Sequence, residues 1–366
     1  MSKSKILVLV GTRPEAIKLA PVVLALQRHP TLKPTVWLTG QHSAMAAQML
    51  GHFQVRADGI FSISRKPANI TELLAEVSRQ LAKQLARLRP DMIVVQGDTT
   101  SAMLGAVAGF YEGIPVAHVE AGLRSFDLQQ PFPEEFNRRV ISIAANLHFC
   151  PTKVSAANLL AEGIPQRNIH IVGNTCIDAL FWTLRRGNKT RIFAKDTRGI
   201  LVTLHRRENW GEGLAGICRA LRGIATDFPD TEMLLPVHKN PVVSATVRKE
   251  LANERRVNLV EPMNYASFCH AMKEAFLIIS DSGGVQEEAL ALGTPVLVTR
   301  TVTERPEVLE GGTVQLVGTS AKKLAGEASK LLTNASLYRK LNKPRFPFGR
   351  GKAGSLIARL IKASLD

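Results

Sequence analysis

Short apolar runs alternate with segments of helical periodicity along most of the chain. In the first half, the apolar runs lie at residues 6–10, 36–38, 92–95, 115–119, 147–149 and 169–172. The segments between them have apolar residues at helical spacing, at 15–27, 43–53, 100–111, 134–145 and from Ser155 onward. Strands that alternate with helices in this way predict a parallel sheet with crossover helices.

A second series of apolar runs follows a polar, basic interruption at residues 185–191. Its runs lie at residues 199–203, 233–237, 257–260, 276–279, 296–298 and 314–316. The 366 residues, 45% of them hydrophobic, are too many for one ordinary core. We predict an α/β fold of two doubly wound, Rossmann-like domains facing a cleft. The first spans residues 1–178 and the second residues 199–346, with a linker at 179–198.

Charged and polar turns follow the predicted strands. Ligands of parallel sheets bind beyond the carboxyl ends of the strands, so these turns are the candidate sites. They are Gly11-Thr-Arg-Pro-Glu15, Thr39-Gly-Gln-His42, Gly97-Asp-Thr-Thr100, Glu120-Ala-Gly-Leu-Arg124, His205-Arg-Arg-Glu-Asn209, Pro236-Val-His-Lys-Asn240 and Asp281-Ser-Gly-Gly284.

The segment Asp281-Ser-Gly-Gly-Val-Gln-Glu-Glu288 indicates an anion site. It follows an apolar run and leads into an acidic, apolar-periodic segment, which predicts a strand, a tight turn and a helix start. Backbone N–H groups at a helix start bind phosphate, and a Glu further along can accept hydrogen bonds from ribose hydroxyls. A nucleotide diphosphate site is therefore the prediction, although Ser-Gly turns also open helices that bind no ligand.

Several carboxylates of the first half are candidates for acid and base chemistry. Asp98, Glu120 and Glu134 lie in or near its turns, while His205 and Arg206 lie in the second half. Carboxylates crowded near a diphosphate repel one another unless cations such as Arg13 separate them. Crowding should raise the pKa of at least one carboxyl, which suits general acid and base catalysis on a nucleotide-linked substrate.

Structural roles remain open for the same residues. Asp98 could cap the helix that starts near Thr99, and Glu120 could form an ion pair within its own turn, which ends at Arg124. Glu134 lies in the first turn of a helix, where acidic residues favour the helix dipole. His205 ends a strand and begins a charged turn, which favours a functional role. The strand histidines His118, His148 and His170 are interpreted as structural.

The composition excludes several classes of protein. The net charge is +16, but the basic residues are scattered and only 5% of residues are aromatic, which argues against nucleic-acid binding. No apolar stretch is long enough to span a membrane, and the N-terminus is interpreted as a strand, so we expect a cytoplasmic protein. The four cysteines form no C-x-x-C pair, and no nucleotide-binding glycine motif follows the first strand. We expect a reaction without metal or nicotinamide.

A set of ordered motifs resembles one family. The motifs are Gly11-Thr-Arg-Pro-Glu15, Gly97-Asp-Thr-Thr100, His118-Val-Glu-Ala-Gly-Leu-Arg124, Pro133-Glu-Glu135, Gly173-Asn-Thr175, His205-Arg-Arg-Glu-Asn209, Asp281-Ser-Gly-Gly284 and Thr303-Glu-Arg-Pro306. Together they are similar to the non-hydrolysing UDP-N-acetylglucosamine 2-epimerase family. The resemblance implies the glycosyltransferase-B architecture, a homodimer, and a C-terminal helix at residues 347–366 that packs on the first domain. It also implies a cytoplasmic role in cell-surface polysaccharide biosynthesis.

The resemblance further implies a reaction without a cofactor. UDP would leave by anti elimination to give 2-acetamidoglucal, and would add back after a proton returns to the opposite face of C2. By motif, Asp98, Glu120 and Glu134 would be the acid and base groups, and His205 would assist the departing UDP. The UDP-binding residues would be Arg13, Ser282, Gly283, Gly284 and Glu288. An activator site for a second UDP-sugar would comprise Gln41, His42, Arg206 and His238.

The chain departs from the family pattern at a few positions. Ala68-Asn69 replaces a Gly-Gln, which puts activator binding in doubt. Leu204 replaces a small residue, Thr301-Val302 replaces Asp-Thr, and Arg350 replaces an Asp. A related UDP-2-acetamido sugar is therefore an alternative substrate. Three further functions stay open: a hydrolysing 2-epimerase, a glycosyltransferase-B enzyme that still catalyses glycosyl transfer, and a catalytically weak UDP-sugar-binding regulator.

Overall fold

The chain divides into two compact units. In the computed structural model the first unit comprises Met1–Phe181 and Phe348–Asp366, and the second comprises Trp182–Pro347. The structure describes residues 3–40, 43–63, 69–187, 191–206 and 209–366.

The first unit is built on a parallel sheet of seven strands. The strands are β1 (Ser4–Val10), β2 (Leu32–Leu38), β3 (Gly59–Ile60), β4 (Met92–Gln96), β5 (Val116–Val119), β6 (Leu147–Cys150) and β7 (Ile169–Ile171). Their order is β3-β2-β1-β4-β5-β6-β7, so the winding direction reverses between β1 and β4. That reversal is the switch point at which doubly wound sheets bind ligands.

The second unit repeats the same winding with six strands. They are β8 (Arg198–Thr203), β9 (Thr231–Pro236), β10 (Val257–Val260), β11 (Leu277–Ser280), β12 (Val296–Val298) and β13 (Val314–Leu316). Their order is β10-β9-β8-β11-β12-β13, with the reversal between β8 and β11. The predicted class, two doubly wound Rossmann-like domains, is confirmed.

Helices connect the strands and cover both sheets. They are α1 (Arg13–Arg28), α2 (Ser43–His52), α3 (Ile70–Leu88), α4 (Thr100–Tyr111), α5 (Glu134–Ala144), α6 (Lys153–Ala161), α7 (Thr175–Arg186), α8 (Glu212–Asp227), α9 (Pro241–Leu251), α10 (Tyr265–Glu274), α11 (Gly283–Leu292), α12 (Ala321–Thr333), α13 (Ala335–Leu341) and α14 (Ala353–Leu365). Short 3₁₀ turns lie at Gln166–Asn168 and Pro306–Leu309. No helix in the described ranges is long and apolar enough to cross a membrane.

The strands are apolar runs because helices cover both faces of each parallel sheet. Residues 6–10 of β1 are all buried, without the alternation of a half-exposed strand. The two-residue strand β3 has no such run, and its place beside β2 follows from pairing to Trp37 and Leu38.

The C-terminal helix α14 belongs to the first unit. It packs along α1 so closely that a Cβ on Gly354 would lie 2.7 Å from the carbonyl oxygen of Pro21. The Asp178 carboxylate on α7 accepts hydrogen bonds from the backbone N–H groups of Ala353 (3.2 Å) and Gly354 (2.9 Å). The division between the units falls within α7, between Phe181 and Trp182, and the linker predicted at residues 179–198 begins in that helix.

Candidate active site

Glu120 is held at the carboxyl end of the first sheet by three side chains. Lys18 Nζ lies 2.7 Å and 2.5 Å from its two carboxylate oxygens, and Asn174 Nδ2 donates to Oε1 at 2.9 Å. Gln96, the last residue of β4, donates to Oε2. The cation beside Glu120 is therefore on α1, whereas Arg124 of its own turn pairs with Glu162 at 2.6 Å. A buried, oriented carboxylate results.

Asp98 follows β4 and is bound from α5. Arg138 Nη2 lies 2.5 Å from Asp98 Oδ2, and Asn137 Nδ2 donates to the Asp98 carbonyl oxygen at 2.9 Å. The helix cap considered for Asp98 is instead made by Thr99, whose hydroxyl oxygen accepts from the Ala102 N–H at 3.0 Å. The Asp98 side chain is thus directed to a cation and stays 28% exposed.

Glu134 begins α5 on the same face as Asn137 and Arg138, because residues three and four apart share a helix face. Its neighbour Glu135, which is fully buried, takes the ion pair with Arg139 at 3.1 Å. Within the described ranges, Glu134 Oε2 is buried and has no hydrogen-bond partner. A buried, unsatisfied carboxylate oxygen is costly, so this atom is a candidate to bind a ligand.

Arg13 is the first residue of α1, next to the switch point of the first sheet. In the part of the chain that the structure describes, no hydrogen bond or ion pair involves its guanidinium. The first unit therefore gathers Asp98, Glu120 and Glu134 around the ends of β4 and β5, with Arg13 at the neighbouring strand end.

The sequence pattern did not single out Glu15, which the structure shows to be a buried carboxyl between two of these turns. It accepts hydrogen bonds from the Gly11 N–H (3.2 Å) and the Thr12 hydroxyl (2.7 Å), and from the Thr99 hydroxyl (2.9 Å) of another turn. Burial raises the pKa of Glu15 to about 7, although these hydrogen bonds oppose the rise. The cause is burial of Glu15 and not the crowding of carboxylates that the sequence suggested. The signal of Glu15 in the sequence is the Thr-x-x-Glu capping pattern.

The Glu15→Gln variant should be more stable than the wild type above about pH 7 and should lose this advantage in acid. The folded-state pKa of Glu15 is raised from 4.5 to about 7, so its contribution to folding is fully present below pH 4.5 and lost as pH rises through 7. The stability difference should therefore grow by about 3 kcal/mol between acidic and alkaline pH. Calorimetric Tm values at both pH extremes measure it.

Glu72→Gln is the matched control, since Glu72 is the third residue of α3 after its cap Asn69 but is exposed. It should show no comparable change with pH. Equal Tm differences for Glu15→Gln at both extremes of pH would contradict the prediction.

In the second unit, α11 begins at Gly283 after β11 and presents its first backbone N–H groups as an anion site. The Ser282 side chain makes no capping bond, and a Cβ on Gly284 would meet no atom within 4 Å, so there is room beside the helix start. A Cβ on Gly283 would lie 2.8 Å from Arg305 Nη1. The Arg305 guanidinium, which pairs with Glu287, therefore packs against the start of α11.

Glu288 lies one turn further along α11 and is 7% exposed. Its Oε1 accepts a hydrogen bond from the Tyr265 hydroxyl at 3.0 Å. The carboxylate is thereby oriented within the unit that holds the helix start, and its contact with a ribose stays a prediction.

Asp281 organises the histidine turn of the second unit. Its fully buried carboxylate accepts from the backbone N–H groups of His205 and Arg206, both at 2.9 Å, and from Asn209 Nδ2 at 3.2 Å. His205 Nδ1 lies 3.0 Å from Asp281 Oδ1. Burial alone would raise the pKa of Asp281, but these contacts hold it below the ordinary value. The sequence pattern assigned no role to Asp281, whose signal is its position directly after a buried strand.

The residues expected to bind an activator are only partly described. Gln41 and His42 lie outside the described residues. His238 stacks on the His205 ring with a centroid distance of 6.0 Å, and burial lowers the pKa of His238. Arg206 Nε is buried and has no hydrogen-bond partner in the described ranges. Arg206 and His238 thus adjoin His205 within one unit.

The departures from the family pattern have separate structural settings. Leu204 is 3% exposed and packs in the core of the second unit, which accommodates the larger side chain. Val302 is 66% exposed, and Thr301 and Arg350 are also exposed. Ala68 lies outside the described residues, and Asn69 caps α3 by accepting from the Glu72 N–H at 2.9 Å.

Comparisons with known proteins agree on one family. A family model described as UDP-N-acetylglucosamine 2-epimerase matches residues 24–362. The UDP-N-acetylglucosamine 2-epimerase of Yersinia pestis is 43% identical, over 98% of each chain. A crystal structure of UDP-GlcNAc 2-epimerase from Neisseria meningitidis bound to UDP-GlcNAc is 38% identical, with a TM-score of 0.93 over 98% of this chain and 100% of that one. A co-structure of S. aureus MnaA and UDP is 40% identical, with a TM-score of 0.91 over 99% and 97%. The chain belongs to the UDP-N-acetylglucosamine 2-epimerase family and is an isomerase.

Proposed function

We propose that this family member interconverts UDP-N-acetylglucosamine and UDP-N-acetylmannosamine by elimination and readdition of UDP. The observation that carries the proposal is the set of three carboxylates, Asp98, Glu120 and Glu134, around the ends of β4 and β5. Inversion at C2 needs proton transfer on both faces of that carbon, which one acid or base group cannot serve alone. A set of separately anchored carboxylates meets this need.

The elimination starts with removal of the C2 proton by one carboxylate. The C1–O bond to UDP breaks, its electron pair leaves with UDP, and a C1–C2 double bond forms in 2-acetamidoglucal. A carboxylic acid then delivers a proton to the opposite face of C2, and a UDP oxygen adds back to C1. The reaction is redox-neutral, so the chain's own acids and bases suffice.

The leaving UDP needs charge neutralisation and a fixed position. Within the second unit, Ser282, Gly283 and Gly284 at the start of α11 would hold the diphosphate, and Glu288 would accept hydrogen bonds from the ribose. Diphosphate binding by Arg13 of the first unit remains a prediction. His205, oriented by Asp281, would stabilise the charge on departing UDP. Binding of a second UDP-sugar at Gln41, His42, Arg206 and His238 remains a prediction.

Proton NMR of the purified protein with UDP-N-acetylglucosamine in D₂O tests the reaction. We expect the C2 proton signal to disappear while UDP-N-acetylmannosamine forms and little free UDP accumulates. Stoichiometric free UDP would instead establish the hydrolysing reaction. If the C2 proton exchanges with solvent only in another UDP-2-acetamido sugar, that sugar is the substrate. If the protein binds UDP but exchanges the C2 proton of no such sugar, the UDP-sugar-binding regulator is favoured.

We also propose a homodimer through the face formed by α4 and α5. Four large apolar side chains lie exposed there, Phe110 (62%), Tyr111 (82%), Phe136 (49%) and Ile143 (79%). Clustered exposed apolar residues mark protein interfaces. A cytoplasmic location and a role in cell-surface polysaccharide synthesis likewise remain proposals.

Ile143→Lys should convert the dimer to a monomer in light scattering, because it places a charge in the buried interface. Ile171→Lys, on the 53% exposed Ile171 of β7, is the matched control and should leave the dimer intact. A wild-type monomer, or an Ile143→Lys dimer, would contradict the proposed face.

A further inference from the structure

Glu15 is a hydrogen-bonding hub between two turns that are far apart in sequence. Its Oε2 accepts from the Gly11 N–H and the Thr12 hydroxyl, immediately before Arg13. Its Oε1 accepts from the Thr99 hydroxyl, immediately after Asp98. A helix cap would need only the first set of contacts, since Thr99 belongs to the turn after β4. One side chain therefore links the turn of Arg13 to the turn of Asp98.

The direction of these hydrogen bonds depends on the protonation of Glu15. The Thr12 oxygen already accepts from the Glu15 N–H and the Thr99 oxygen from the Ala102 N–H, so both hydroxyl protons are available for the carboxylate. The Gly11 N–H can only donate. The ionised carboxylate therefore satisfies all three donors at once, whereas a protonated carboxyl must turn one hydroxyl away.

We propose that Glu15 is a positioning residue for epimerisation. Its ionised carboxylate fixes the Asp98 turn in place relative to the Arg13 turn. This inference rests on the proposed function and deepens it. The side chain is 1% exposed, so solvent does not replace its contacts. The raised pKa, about 7, places the change of state within the range in which enzymes are assayed.

Burial and hydrogen bonding control the pKa of Glu15. Among the described residues its carboxylate bonds only Gly11, Thr12 and Thr99. The elements that pack against α1 carry the titratable side chains Lys5 (β1), Lys33 (β2), His52 (α2), Arg359 and Lys362 (α14), while Arg13, Lys18, Asp98 and Glu120 lie in or beside the two turns. Lys18 is engaged with Glu120.

The Glu15→Gln variant imitates the protonated state. The amide oxygen can still accept from Gly11 and Thr12, but the amide nitrogen can only donate toward Thr99. We expect kcat for C2 epimerisation to fall by about tenfold to a hundredfold, since small misplacements of a reacting group have effects of this order. The Kd for UDP should change less than about threefold. The ionisation near pH 7 in the wild-type pH–kcat profile should be absent from the variant.

Thr99 provides a second, independent variant. Thr99→Val should reproduce the kcat loss, and Thr99→Ser should retain wild-type activity. The double variant Glu15→Gln/Thr99→Val should lose no more kcat than either single variant. Thr152→Val is the matched control, because Thr152 caps α6 in the same way but lies in the turn after β6. It should leave kcat unchanged. Additive losses, or a Glu15→Gln enzyme with wild-type kcat and pH profile, would overturn the proposal.

A readout without catalysis separates this inference from the proposed function. In ¹H–¹⁵N spectra, the amides of Gly11 and Thr99 should titrate together with one midpoint near pH 7 and should not titrate in Glu15→Gln. Titration of Gly11 alone would overturn the link between the turns. A wild type that titrates as expected but exchanges no C2 proton would refute the epimerase reaction and leave the link established.

Discussion

Replacing Asp98 with Asn should lower kcat for C2 epimerisation by about 10²-fold to 10⁴-fold, the range for loss of a general acid or base. Asn has the same shape but cannot take up or release a proton at the pH of the reaction. The Kd for UDP should stay nearly unchanged, because the proposed diphosphate and ribose contacts of Ser282, Gly283, Gly284 and Glu288 are untouched. Exchange of the C2 proton in D₂O and calorimetric UDP binding measure the two effects separately.

Glu162→Gln is the matched control for this experiment. Glu162 pairs with Arg124 at 2.6 Å as Asp98 pairs with Arg138, but it lies on the turn after α6 and outside the proposed site. It should retain kcat. An Asp98→Asn enzyme with wild-type kcat, or one that loses UDP binding to the same extent as turnover, would contradict the acid and base role.

Replacing Asp281 with Ala should destabilise the second unit by about 3 to 5 kcal/mol. The truncation leaves the N–H groups of His205 and Arg206 and the Asn209 amide without their acceptor. Each buried donor that loses its partner costs about 1 to 3 kcal/mol. The Tm of this unit should fall by roughly 10 °C, as calorimetry would show. The UDP-dependent step should also slow, since His205 loses the group that orients it.

Asp281→Asn separates the carboxylate charge from the hydrogen bonds. Its amide oxygen can still accept from both backbone N–H groups, so the loss of Tm should be smaller than for the Ala variant. Because the folded-state pKa of Asp281 is lowered, its ionised form stabilises the fold above the ordinary carboxyl pKa and ceases to do so as pH falls below it. The advantage of the wild type over Asp281→Asn should therefore shrink in acid. An Ala variant with the Tm of the wild type would show that the carboxylate does not support the turn.

The candidate site was predicted from its position along the chain more than from its contacts. Turns after strands in a parallel sheet must lie at one edge, so Asp98, Glu120 and the Asp281 turn could be selected from the sequence. The partners of these residues could not. The cation of Glu120 is Lys18, 102 residues away in the chain, whereas the sequence suggested Arg124 of the same turn. Thr99, and not Asp98, caps α4, which only the side-chain geometry distinguishes.

The sequence by itself determined the family and the fold class, and both predictions are confirmed. Buried parallel strands need uninterrupted apolar runs and their crossover helices need helical periodicity, so both leave a local pattern. The roles of individual site residues remain predictions. Only the tertiary structure decided that Glu15 is buried between two turns with its pKa raised to about 7, and that Asp281 holds the His205 turn. Burial and long-range hydrogen bonds depend on which strands become neighbours. A local pattern of residues does not encode which distant residues come into contact.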